Sequence, residues 1–119
     1  MTDSAPTPDL SAEDRKLVTL ARATRARTRA AEGAAVRDAD GRTYAAATVD
    51  LPSLQVSALG VCLSMAVASG AQGLEAAVVL TDADTLADAD LAAVRDFAGA
   101  GVTIHRGDAR GTIAATVAS

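Results

Sequence analysis

Leu54-Gln-Val-Ser-Ala-Leu-Gly-Val-Cys-Leu-Ser-Met-Ala-Val-Ala-Ser-Gly70 is the longest apolar run in the chain. Read at helical period it shows no polar face, which is the signature of a buried helix. At 17 residues, Gln55 and three serines among them, it falls short of the roughly 20 apolar residues that cross a bilayer. Ser57, Gly60 and Ser64 share one face, where small side chains let another backbone approach closely. The run also carries the only cysteine, Cys62. The rest of the chain is expected to wrap this helix, with Ser53 as its N-cap and Gly70 and Gly73 beyond its end.

Working towards the N-terminus, Pro52 and Ser53 separate the run from a hairpin. Gly33–Arg37 and Arg42–Val49 read as strands joined by a turn that contains Asp40-Gly41. Before them, Ser11 and Asp14 form an Asp version of the capping box, and a helix is expected to about Ala31. Leu17, Leu20, Ala21, Thr24, Thr28 and Ala31 share one of its faces, and Arg15, Arg22, Arg25 and Arg29 another. That arginine stripe reads as a solvated face in preference to an RNA contact, because no aromatic residue interleaves with it. Residues 1–10 contain Asp3, Pro6, Pro8 and Asp9 and no apolar segment, so they read as a loose tail and not as a signal peptide.

Towards the C-terminus, Leu74–Thr81 is apolar enough for a central strand covered on both faces. Asp88–Ala98 reads as an amphipathic helix, Val102–His105 as a strand and Gly111–Val117 as the last strand. The order is α-β-β-α-β-α-β-β in one domain over residues 11–119. An α/β, three-layer α-β-α architecture with a five-stranded mixed sheet follows.

Composition sets further bounds. Half the residues are apolar but only 2% are aromatic, with one Phe, one Tyr and no Trp. A core of Ala, Val and Leu buries little area per residue, so partner subunits are expected to complete it. The net charge of −4 argues against a general nucleic-acid binder. A single cysteine excludes an internal disulfide and fits a reducing compartment. No segment is long and apolar enough for a membrane, so a cytoplasmic protein is expected.

Several stretches resemble the cytidine deaminase-like family. Gly33-Ala-Ala-Val-Arg-Asp-Ala-Asp-Gly-Arg-Thr-Tyr44 is similar to its V-G-A-A-L…D-G-…-Y hairpin, and Ala66-Val-Ala-Ser-Gly70 to its A-V-S-E-G. Arg106-Gly-Asp-Ala-Arg-Gly-Thr112 is similar to its K-P-D-G-T turn. Thr48-Val-Asp50 stands where the family writes N-V-E, its substrate contact, so Thr48 and Asp50 keep at most a shortened version of that contact. The resemblance implies a zinc ion held by one Cys or His on the second helix and two Cys of P-C-x-x-C on the third. It also implies a Glu two residues after the first ligand as proton shuttle. Aligned from Gly70, that first ligand falls on Ser57 and the Glu on Leu59. Aligned from Phe97, the P-C-x-x-C falls on Leu86-Ala-Asp-Ala-Asp90, which leaves Asp88 and Asp90 near the thiolate positions.

The expectation is therefore a homologue without zinc and without catalysis, acting as a homo-oligomeric structural or interaction module, with an unidentified protein partner left open. Two other readings stand beside it: a zinc-dependent nucleoside deaminase with displaced ligands, and a nucleotide-binding sensor. Cys62 lies about 140° round the helix from Ser57 and is expected to be a small buried hydrophobe. His105, the only histidine, is expected at the surface or a strand end. Val78–Leu86 is also similar to the D-x-D-x-T loop of haloacid dehalogenase-like phosphatases, through Asp82 and Asp84. No Lys follows it in the chain, so those aspartates read as loop residues.

Overall fold

The computed structural model describes residues 10–119. The expected tail lies outside the described residues except for Leu10, which packs against the core. The elements are α1 (Ala12–Thr28), β1 (Gly33–Asp38), β2 (Thr43–Ala47), β3 (Val49–Leu51), β4 (Leu54–Val56), α2 (Ala58–Ala68), β5 (Leu74–Leu80), α3 (Asp88–Ala98), β6 (Thr103–Gly107) and β7 (Ile113–Ala118). Five strands form one mixed sheet in the order β2-β1-β5-β6-β7, and β3 pairs with β4 in a separate two-stranded ribbon. Only β5 and β6 run parallel, joined by the α3 crossover.

The central position of β5 explains its composition. Ala76–Leu80 is buried residue by residue, because each face of the sheet carries its own helical layer. Ala77 and Val79 pack with Leu59, Cys62, Leu63 and Val94 of α2 and α3. Ala76, Val78 and Leu80 pack with Leu17 and Ala21 of α1. Gly33 is required where β1 passes under α1, since a Cβ there would collide with the Ala21 carbonyl and Arg25.

The run Leu54–Gly70 is not one helix. Leu54–Val56 is β4, hydrogen-bonded to β3, and the helix begins only after Ser57. The cap is thus Ser57, not Ser53: Ser57 Oγ accepts from the Gly60 N–H at 3.0 Å. Residue chemistry alone did not separate these segments, because a short apolar strand and the first turn of an apolar helix look alike. Nor is the helix buried all round: Leu59 and Cys62 are inaccessible, whereas Val67 is 54% exposed.

The arginine-bearing helix α1 also ends earlier than expected. Arg29 adopts a left-handed conformation (φ 54°) and its N–H returns to the Arg25 carbonyl. The turn between β1 and β2 is organised by Asp38, whose Oδ1 accepts from the Asp40 and Arg42 N–H groups while Oδ2 accepts from the Tyr44 hydroxyl at 2.8 Å. Burial opposes ionisation of Asp38, but these bonds outweigh it and hold the carboxyl below the ordinary range.

Candidate functional site

The N-termini of α2 and α3 meet on one side of the sheet, and Ser57 and Asp90 meet there. The Ser57 hydroxyl donates to Asp90 Oδ1 at 2.7 Å while accepting from the Gly60 N–H. Both partners have a local reason for their place. Ser57 is the α2 cap, and Asp90 lies in the first turn of α3, where an anion faces the positive end of the helix dipole. The pair bridges two helices 33 positions apart in the chain.

Leu59 does not join them. It is fully buried, in the cluster with Val36, Val79 and Ile104. Asp88 is exposed and lines a different cleft of about 420 Å³, with Asp84, Arg106 and Val117. Thr48 and Asp50 do lie near Ser57: with Gln55 they line a cleft of about 400 Å³ beside the β3–β4 ribbon. The Thr48 hydroxyl is largely committed, since it accepts from the Glu32 N–H at 2.9 Å and lies 3.4 Å from the Glu32 carbonyl. Asp50 is exposed. Of the six positions singled out in the sequence, the structure therefore gathers Ser57 with Asp90 and with the Thr48–Asp50 cleft, and separates Leu59 and Asp88 from them.

Cys62 points to the sheet, its thiol 3.6 Å from the Tyr44 carbonyl. Burial pushes that thiol up to about 12, so it stays protonated at neutral pH. His105 contradicts the surface expectation. It is 4% exposed and lies on the α1 side, with Nε2 2.9 Å from Asp14 Oδ2 and Nδ1 2.8 Å from Thr116 Oγ1. The strand alternation carries the signal that was missed. Ile104 faces the α2–α3 layer, so His105 must face α1. Cys62 and His105 consequently lie on opposite faces of the sheet.

Around His105 is a polar cluster that sequence reasoning did not anticipate. Arg37 of β1 donates from Nη2 to Asp14 at 3.0 Å and from Nε to Glu75 at 2.7 Å. Asp14 also has the capping role expected of it, since its N–H donates to the Ser11 hydroxyl. Burial works against its charge, but the hydrogen bonds from His105 and Arg37 win and lower its pKa. Among the described residues no three His, Cys, Asp or Glu side chains stand close enough to hold a metal ion. No helix among them is long and apolar enough to cross a membrane.

A search of characterised protein sequences returns no significant match to this chain. Solved structures do match in fold. A cytidine deaminase from Burkholderia pseudomallei superposes with a TM-score of 0.77 at 18% identity, over 91% of this chain and 92% of its own. The cytidine deaminase from Mycobacterium leprae gives 0.70 at 20% identity, over 92% and 94%. That from Mycobacterium tuberculosis gives 0.68 at 19% identity, over 79% and 85%. At these identities the likeness establishes the fold, and the five-stranded α/β architecture agrees with it. The sequence profile described as Cytidine deaminase-like matches residues 10–111. With that span covering most of the chain, the protein belongs to the cytidine deaminase-like family.

Proposed function

We propose that this chain is a non-catalytic member of its family, a zinc-free module whose role is structural or interactive. The Ser57–Asp90 bond carries the reading. At the junction of the two helix N-termini, the hydroxyl and the carboxylate satisfy one another, and Ser57 also caps α2. The donor set does not fit zinc: the junction offers one hydroxyl and one carboxylate, already bonded to each other, with no thiolate or imidazole. Leu59, at the position aligned with the proton shuttle, has no titratable atom and is sealed in the core.

An assembly of several copies completes the proposal. Val67 is exposed on α2, beside a groove of about 490 Å³ that Leu63, Ala93 and Phe97 also line. Burying such surface against another copy would compensate for a core poor in aromatic residues. The free, buried Cys62 suits a reducing, cytoplasmic setting.

The test is metal analysis and cytidine turnover on protein expressed in zinc-supplemented medium, with sedimentation to read the mass. The expected outcome is far less than one zinc per chain, no uridine formed and a species heavier than the monomer. One zinc per chain surviving dialysis, or turnover abolished by a chelator, overturns the loss of catalysis; a monomer overturns the assembly.

The cleft lined by Thr48, Asp50 and Gln55 favours a second reading, a sensor that retains a nucleoside or nucleotide. A thermal-shift panel separates the two, since a bound ligand raises stability by RT ln(1 + [L]/Kd).

A further inference from the structure

From the solvent-facing side of α1, on the sheet face opposite the Ser57–Asp90 junction, we propose that the protein binds the phosphate backbone of duplex DNA. Six of the eleven basic residues lie between positions 15 and 31, and no carboxylate does. The net charge of −4 describes the whole chain, whereas a macromolecular anion responds to the local field.

Arg15 and Arg22 are seven positions apart on α1, so they fall on nearly one line along the helix, about 10 Å apart, and Arg29 stands at its C-terminal cap. The fold adds a fourth cation that the helix sequence does not contain. Gly111, at φ +88°, brings its turn against Val18 so closely that a Cβ would meet Val18 Cγ1 at 2.9 Å. That seats Arg110 beside the line, where Arg22 Nη1 donates to the Arg110 carbonyl at 3.3 Å. The Asp108 carboxylate in the same turn is occupied by the Arg110 and Thr112 N–H groups.

Among the described residues, none of Arg15, Arg22, Arg29 and Arg110 forms an ion pair. Arg25, on the same side, is 3.9 Å from Asp82 and is left out of the proposed contact. All four unpaired arginines are exposed. No aromatic residue stands among them, so stacking on single-stranded bases is not on offer, and contact to phosphate is. B-form DNA is the occupant in preference to an RNA duplex, because its major groove, about 12 Å wide, admits an α-helix, whereas the A-form major groove is deep and narrow.

The test is fluorescence anisotropy with a labelled DNA duplex of mixed sequence, titrated from about 50 to 200 mM salt. Four phosphate contacts predict that affinity falls about 100-fold over that range, with log–log slope near −3.5. Arg15→Gln with Arg110→Gln should reduce the slope by about 2, and the Lys versions should restore it. Melting of each variant by circular dichroism checks the fold independently. Absence of binding at the lowest salt, an unchanged slope in a folded double variant, or tighter binding to an RNA duplex or to inorganic polyphosphate overturns the proposal.

Discussion

Replacing Asp14 by Asn tests whether the buried polar cluster holds α1 to the sheet. Asp14 and Arg37 have side chains only 15% exposed, and His105 6%. The substitution removes the charge that Arg37 Nη2 and His105 Nε2 both face, at 3.0 and 2.9 Å. Breaking a fully buried pair costs about 3–5 kcal/mol. Here Arg37 retains Glu75 at 2.7 Å, and the Asn oxygen can still accept one bond, so a loss of about 2 kcal/mol is expected. In a domain of this size that corresponds to a fall in Tm of about 8 °C. The assay is urea unfolding of both proteins from neutral to acid pH. Because the folded pKa of Asp14 is lowered, its carboxylate contributes stability above its unfolded pKa, and that contribution is lost as pH falls through the folded value. The two stabilities should therefore differ at neutral pH and converge below about pH 4. A loss under about 0.5 kcal/mol at pH 7 would place the cluster among ion pairs of no consequence. A difference that widens in acid would refute the sign of the argument.

Three further outcomes are expected. Ser57→Ala removes both the α2 cap and the bond to Asp90, and should cost about 1–2 kcal/mol in urea unfolding; an unchanged midpoint would mean the bridge contributes nothing. Leu59→Ala opens a cavity in a fully buried position and should cost about 2–5 kcal/mol, whereas Leu59→Met should cost less than about 1.5 kcal/mol; equal losses would contradict the packing assigned to it. Cys62, with its thiol pushed up to about 12, should react with a thiol reagent only in denaturant; rapid labelling of the native protein would refute its burial.

The order of elements was legible from hydrophobic period and turn chemistry. The hairpin around Asp40-Gly41, the doubly covered Leu74–Leu80 strand and the amphipathic Asp88–Ala98 helix all read correctly because each signal is local. Errors gathered where a local pattern has two solutions. Leu54–Val56 became a strand because Val49–Leu51 was available to pair with it, and pairing depends on a partner outside the segment. His105 looked like a strand end until β7 extended the sheet past it and α1 covered it.

The same division holds for chemistry. The identity of every side chain, and with it the absence of a carboxylate at Leu59 and of a second thiol beside Cys62, is a property of the sequence alone. Which groups meet was decided by tertiary structure. Ser57 found Asp90 across 33 positions, Asp14 found His105 across 91, and Arg22 found Arg110 across 88. Hydrogen bonds and charge pairs act over a few ångströms, and only the folded sheet with its helices on both faces brings such distant positions within that reach.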